Sequence, residues 1–201
     1  MKRSAGHFAT EGGADNDAAV HNGMAAGGPA RDINSTQVKE GTAASSSGYD
    51  YEVFLSFRGP DTRAGITDFL YTSLVDVGIR AYRDNKNLQH REEIGPELLQ
   101  AIHQSKISIP VFSRGYASSK WCLQELVHMV KCKKTRGQII VPIFYDVAPR
   151  EVQLRTGVYK GASYLQETKK LYSDETIQEW KKALKEAGKL DGWDLRNMPN
   201  R

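Results

Sequence analysis

The sequence predicts an α/β fold, a doubly wound parallel sheet of about five strands with helices on both faces. Three observations predict it. Short apolar runs of strand length (VFLSF, KISIPVF, QIIVPIFY) alternate with longer stretches whose apolar residues recur at helical spacing. The strand-like runs are nearly continuous rather than alternating, as in strands covered on both faces. Residues that start and stop helices fall between the two kinds of segment.

In chain order, residues 1–48 are rich in Gly, Ala, Ser, Asn and Asp with almost no large apolar side chains, and are expected to form a disordered tail. The folded domain is expected over 49–201. Val53, Phe54, Leu55 and Phe57 make the first strand. Asp61 or Thr62 is placed to cap a helix bearing Ile66, Phe69, Leu70 and Leu74 and ending near Gly78. Ile79, Ala81 and Tyr82 form a second strand, and a polar loop from Asp84 to Glu93 follows. Pro96 opens a helix whose core face is Leu98, Leu99 and Ile102. Lys106 to Phe112 is the third strand, Trp121 to about Lys133 the third helix, and Gln138 to Tyr145 the fourth strand. Pro110 and Pro142 interrupt the donor pattern of their strands. Beyond Pro149 the chain reads as mainly helical, with a capping box at Thr176–Glu179 and an apolar face of Ile177, Trp180, Leu184 and Ala187. Gly192 to Leu195 is a short fifth strand. The order of elements is that of the flavodoxin-like class.

Composition narrows the function. The chain has 28 Lys and Arg against 24 Asp and Glu, with the excess cations spread out rather than clustered as on a nucleic-acid reader. It contains no apolar stretch of bilayer length and no signal-like leader, so no membrane partner is expected. Its two cysteines, Cys122 and Cys132, fall on one predicted helix and cannot bridge each other there. That fits a reducing compartment, cytoplasmic or nuclear. There is no metal-ligand spacing and no expected metal or prosthetic group.

Two places carry candidate chemistry. The turn Arg58-Gly59-Pro60-Asp61-Thr62-Arg63 follows the first strand, where open α/β sheets hold ligands. Two guanidinium groups and backbone N–H groups there could hold a phosphate; alternatively, the arginines are solvated on an ordinary turn. The turn has neither dinucleotide-fold nor P-loop glycine spacing, and Ser56-Phe57-Arg58 lacks the acids of a phospho-receiver. In the third helix, Leu123, Leu126, Val127 and Val130 gather on one side at 100° per residue. Glu125 is placed nearly opposite them, facing away from the core, with Trp121 one turn earlier. A lone glutamate at a helix start is commonly solvated and favoured by the dipole, whereas a large ring beside it outside the core covers a partner or a pocket.

Four ordered motifs (YDYEVFLSFRGPDTR, EIGPELLQAI with SKISIPVFS, SRGYASSKWCLQEL and IIVPIFYDVAPREVQLRTGVY) resemble those of a plant TIR (Toll/interleukin-1 receptor homology) domain, from Tyr49 to about Leu195. The resemblance implies an N-terminal module of intracellular plant immune receptors that cleaves the nicotinamide–ribose bond of NAD+ or NADP+ as substrate. It places the family's catalytic glutamate on Glu125 and the companion tryptophan on Trp121. The dinucleotide would lie on Phe57 and on Arg58, Gly59, Pro60, Asp61, Thr62 and Arg63. Cleavage builds positive charge on the ribose, which one carboxylate against an aromatic wall can stabilise. Nicotinamide leaves as a neutral group, so no proton donor is needed.

The resemblance also implies self-association and binding to other TIR domains, through the first helix and the Gly188 region, ordering the loop after the second strand over a neighbour's site. Two departures stand out. Arg91 replaces a common glycine in that loop, at a cost of about 1 kcal/mol if the position needs positive φ. The domain is also expected to end before the family's usual last helix. The alternative to an NAD(P)+ nucleosidase is a non-catalytic TIR scaffold or regulator that binds other TIR domains.

Overall fold

Val53, Phe54 and Leu55 are at most 4% exposed, which requires a strand in mid-sheet with both faces covered. In the computed structural model, which describes residues 48–84, 94–160 and 171–198, that strand is β1 (Tyr51–Phe57). It pairs in parallel with β2 (Ala81–Arg83) on one side and β3 (Ser105–Phe112) on the other. The sheet order is β2-β1-β3-β5-β6, with β4 (Ile139–Ile140) also on β3, β5 at Ile143–Phe144 and β6 at Trp193–Asp194. Every pairing is parallel. The strand order reverses between β1 and β3, the place at which open α/β sheets hold ligands outside the carboxyl ends of their strands. The expected N-terminal tail (up to residue 47) and Arg91 lie outside the described residues.

The fourth predicted strand is two short strands, β4 and β5, because Pro142 has no N–H to give a ladder. Pro110 stays inside β3, opposite Ser56 of β1. Side chains alternate between the two sheet faces. Phe54, Phe112, Ile140 and Phe144 belong to the main core with α3 (Pro96–His103), α4 (Lys120–Arg136) and α7 (Asp174–Ala187). The opposite face carries Val53, Leu55, Val111 and Ile143, all buried. On it lie α1 (Gly59–Thr62), a wider turn over Arg63–Thr67, and α2 (Asp68–Asp76).

That first helical segment differs from the expectation. It begins at Gly59 with Arg58 at the cap position, and helical geometry is interrupted at Gly65. The interruption breaks the phase of the stripe: Ile66, Leu70 and Leu74 are half-buried, but Phe69 is 70% exposed. Asp61 caps nothing, because its carboxylate is used across the molecule as described below.

Helix α4 starts on Ser119, whose Oγ accepts from the Cys122 amide at 3.4 Å. It ends at Gly137, which takes a left-handed φ of 71° that a side chain would disfavour. The cap of α7 is Ser173, three residues ahead of the expected Thr176; Ser173 Oγ accepts from the Thr176 amide at 3.3 Å. Ile177, Trp180, Leu184 and Ala187 are all buried, as their spacing predicts. Between β5 and α7 stand α5 (Pro149–Val152) and α6 (Gly157–Lys160). Gly188, just past α7, is buried against α5: a Cβ there would sit 3.0 Å from the Pro149 carbonyl and 2.9 Å from Gln153 Cγ. The Gln153 side-chain amide donates to the Gly188 carbonyl at 2.6 Å.

Candidate active site at the carboxyl ends of β1 and β3

Glu125 does not face away from the core. It is 6% exposed and lies on the buried arc of α4 with Cys122, Leu126 and Met129. Cys122 and Met129 widen that arc beyond the stripe of leucines and valines, because α4 is packed by α3, α7 and the sheet together. The carboxyl is therefore aimed at the last turn of β1, where Ser56 points to the same face as Phe54.

Ser56 Oγ lies 2.5 Å from Glu125 Oε2 and 2.7 Å from the Tyr116 hydroxyl, which in turn donates to the Cys122 carbonyl at 3.2 Å. Tyr116 comes from a short 3-10 turn after β3 (Tyr116–Ser118), and its ring is held edge-on to Phe112 at 4.8 Å. Ser56 and Tyr116 are at most 1% exposed.

Burial pushes the Glu125 carboxyl up to about 8; the hydrogen bond from Ser56 opposes the rise and the nearby Asp84 carboxylate adds to it. Burial likewise raises the Tyr116 hydroxyl and the Cys122 thiol, so both stay neutral at physiological pH. One turn before Glu125, Trp121 is half-buried, with the Lys120 ammonium 4.8 Å from its ring centroid.

The turn after β1 is tied together by its own charges. Arg58 donates to Asp61 Oδ1. Asp61 Oδ2 accepts from Ser113 Oγ at 2.5 Å and from the Gly115 amide at 3.0 Å. Asp61 thus clasps the carboxyl end of β3, and Tyr159 extends the clasp by donating to the Ser113 carbonyl at 2.5 Å. The Asp61 and Thr62 amides donate to the Arg58 carbonyl. Gly59 and Pro60 form the first turn of α1, where a Cβ on Gly59 would meet the Arg63 guanidinium at 3.3 Å. Thr62 faces inward and accepts from Thr67 Oγ1 at 2.9 Å. Phe57 points to the face opposite Ser56, with the Arg63 guanidinium over its ring at 4.9 Å. Arg63 also donates to the Asp84 carbonyl at 2.9 Å.

The candidate residues therefore form two groups. Glu125 and Trp121 belong to the α4 side with Ser56 and Tyr116; Phe57 and Arg63 belong to the α2 side; Arg58 and Asp61 bridge β1 to β3. Asp84 joins the groups, holding Arg63 and acting on Glu125. Ser56, Ser113 and Tyr116 are the members that sequence reasoning missed. The available signal was Ser56 itself, a polar residue inside the buried run VFLSF at the same parity as Phe54.

Among the described residues no three His, Cys, Asp or Glu side chains converge as metal ligands. No described helix is long and apolar enough to cross a membrane.

A family model described as TIR domain matches residues 50–201. The chain is 45% identical over 151 residues to TMV resistance protein N of Nicotiana glutinosa, and 46% identical over 147 residues to disease resistance protein RPV1 of Vitis rotundifolia. These alignments take in 75% and 72% of this chain but only 13% and 10% of the relatives' lengths. The TIR domains in a solved structure of the activated Roq1 resistosome, directly recognizing the pathogen effector XopQ, superpose with a TM-score of 0.67 at 38% identity. That match covers 74% of this chain and 89% of that one. With the parallel sheet, its reversal of strand order between β1 and β3 and the family match over three-quarters of its length, the chain belongs to the TIR domain family.

Proposed function

We propose that this TIR domain cleaves the N-glycosidic bond between nicotinamide and ribose in NAD+ or NADP+, with Glu125 as the catalytic residue, in plant disease-resistance signalling. The observation that carries this reading is the setting of Glu125: a single carboxyl buried at the strand-order switch, one turn from a half-buried tryptophan. Strongly shifted carboxyls in a crevice are candidates for chemistry rather than packing.

In the proposed reaction the C1′–N1 bond breaks heterolytically and its electron pair goes to the nicotinamide nitrogen, which leaves neutral. The ribose becomes cation-like, and water or a nucleophile of the nucleotide itself captures it, releasing one proton to solvent. Ionised Glu125 stabilises the developing charge in a site where few waters compete. Trp121 supplies a flat wall for the nicotinamide ring. Arg58 to Arg63, with Phe57, hold the dinucleotide once Arg58 exchanges Asp61 for phosphate. The similar Roq1 TIR domains belong to an activated resistosome, which supports self-association as the active arrangement, with the first helix and the Gly188 region as contact faces. The buried position of Gly188 means that a larger residue there would first disturb the α5–α7 contact.

A second reading, a non-catalytic scaffold, is favoured by the 6% exposure of Glu125 and its occupation by Ser56. One assay separates the two. Concentrated protein is incubated with NAD+, nicotinamide release is followed, and Glu125→Ala is run beside it. The nucleosidase reading expects a rate that rises more than proportionally with protein concentration and falls about 100-fold or more in the variant. Equal rates in the two proteins would remove Glu125 from the mechanism, and no release at any concentration would favour the scaffold.

A further inference from the structure

Three buried contacts in series run from Glu125 through Ser56 and Tyr116 to the Cys122 carbonyl, at 2.5, 2.7 and 3.2 Å. Each hydroxyl owns one proton, and a backbone carbonyl owns none. Three hydrogen bonds therefore need three protons where Ser56 and Tyr116 supply two. If Tyr116 donates to Cys122, then Ser56 must donate to Tyr116, and the bond between Ser56 and Glu125 needs a proton from the carboxyl. If Glu125 is ionised, Ser56 must donate to it and Tyr116 to Ser56, which releases the Cys122 carbonyl from the tyrosine. The same atoms thus support two proton arrangements, one for each charge state of Glu125.

We infer that Ser56 and Tyr116 are positioning residues for Glu125: a hydroxyl chain that holds its carboxyl protonated in the free protein and reverses direction when the carboxyl ionises. Ionisation sends the proton to solvent and turns both hydroxyls toward the new charge, with no heavy atom needing to leave its place. The groups that face the carboxyl are consistent with a neutral resting state. Ser56 of β1, Tyr116 after β3, Cys122 on α4 itself and Tyr82 of β2 are uncharged, and Asp84 at the end of β2 opposes ionisation. A cationic nicotinamide ring against Trp121 would supply the positive charge that favours the switch. That last step rests on the function proposed above; the chain and its resting state do not.

The test follows the side-chain carboxyl of Glu125 by carbon-13 NMR of glutamate-labelled protein, assigned through its backbone and titrated from pH 4 to 10 without substrate. The expected midpoint lies well above that of an ordinary glutamate. The two positions should then move it in opposite directions. Tyr116→Phe removes two bonds from the neutral chain and one from the ionised chain, so the midpoint falls by about half to one pH unit. Ser56→Ala removes the charge-assisted donor to the carboxylate, so the midpoint rises by a similar amount. Mere loss of packing predicts no such opposition of sign. An ordinary glutamate midpoint in the unaltered protein, which needs no variant to fold, would overturn the inference. So would two shifts of the same sign. Because the titration contains no NAD+, absence of nicotinamide release would defeat the nucleosidase reading and leave this result standing. In a catalytically active protein the acid limb of the kcat/KM profile should move with the same two signs.

Discussion

Under α4 and α7 the sheet presents Phe54, Phe112, Ile140 and Phe144, none more than 6% exposed, whereas on the opposite face α2 buries no residue and leaves Phe69 70% exposed, with Val77 just past its end 72% exposed. Both faces of the sheet are apolar and buried, but the helices over the first add their own buried side chains to an interior, whereas α2 over the second adds none. The site follows that division. The buried carboxyl, its serine and its tyrosine lie on the closed face, where desolvation is strong enough to shift a pKa. Phe57 and Arg63 lie on the lightly covered face. Depth of cover, more than residue type, decides which polar groups here can be chemically unusual.

The largest expected effect that sharpens the contrast is Trp180→Ala. Trp180 is 2% exposed and takes Tyr172 edge-on at 5.0 Å, so truncation leaves a cavity in the closed half. The expected loss is about 3–5 kcal/mol in urea unfolding. A loss below about 1 kcal/mol would mean that α7 is not part of the main core.

The second effect is electrostatic and specific to the closed face. A carboxyl whose folded pKa is raised costs nothing at low pH, where both states are protonated. As pH rises from about 4.5 toward about 8, the unfolded state ionises and the folded state does not, so stability falls across that window and levels off above it. Glu125→Gln removes the dependence. The variant should match the parent near pH 4 and exceed it by a few kcal/mol at pH 8.5, measured as the difference between urea midpoints. A gap of the same size at both pH values would show that packing, not ionisation, distinguishes the two side chains.

The two faces were also unequally legible in the sequence. The strands, their order and the apolar face of α7 follow from local pattern, because strand runs and Ile177, Trp180, Leu184 and Ala187 report burial directly. The orientation of Glu125 did not, since a helical wheel drawn on leucine and valine alone omits Cys122 and Met129, which extend the buried arc past the glutamate. Asp61 shows the same limit: as a residue near a helix start it reads as a cap, but besides Arg58 its partners are Ser113 and Gly115, more than fifty positions away. Pairings at that range belong to the tertiary fold. Pro142 was legible as a disturbance of its strand, and the break between β4 and β5 is the form it takes.

The smallest expected effect probes the lightly covered face. Phe69 follows the interruption at Gly65, and a phenylalanine left 70% exposed has little buried area to lose. Phe69→Ser should therefore leave the urea midpoint of the isolated chain within about 0.5 kcal/mol of the parent, since exposed positions without special contacts seldom matter more. The same substitution reduces the apolar surface available to a second molecule, so any weakening should appear in self-association measured by sedimentation rather than in unfolding. Val77, exposed at the C-cap just past the same helix, offers a second substitution with the same expectation. If Phe69→Ser instead destabilised the isolated chain as Trp180→Ala does, α2 would have to be packed as tightly as α7. The asymmetry between the faces would then fail, and with it the explanation of why the shifted carboxyl lies where it does.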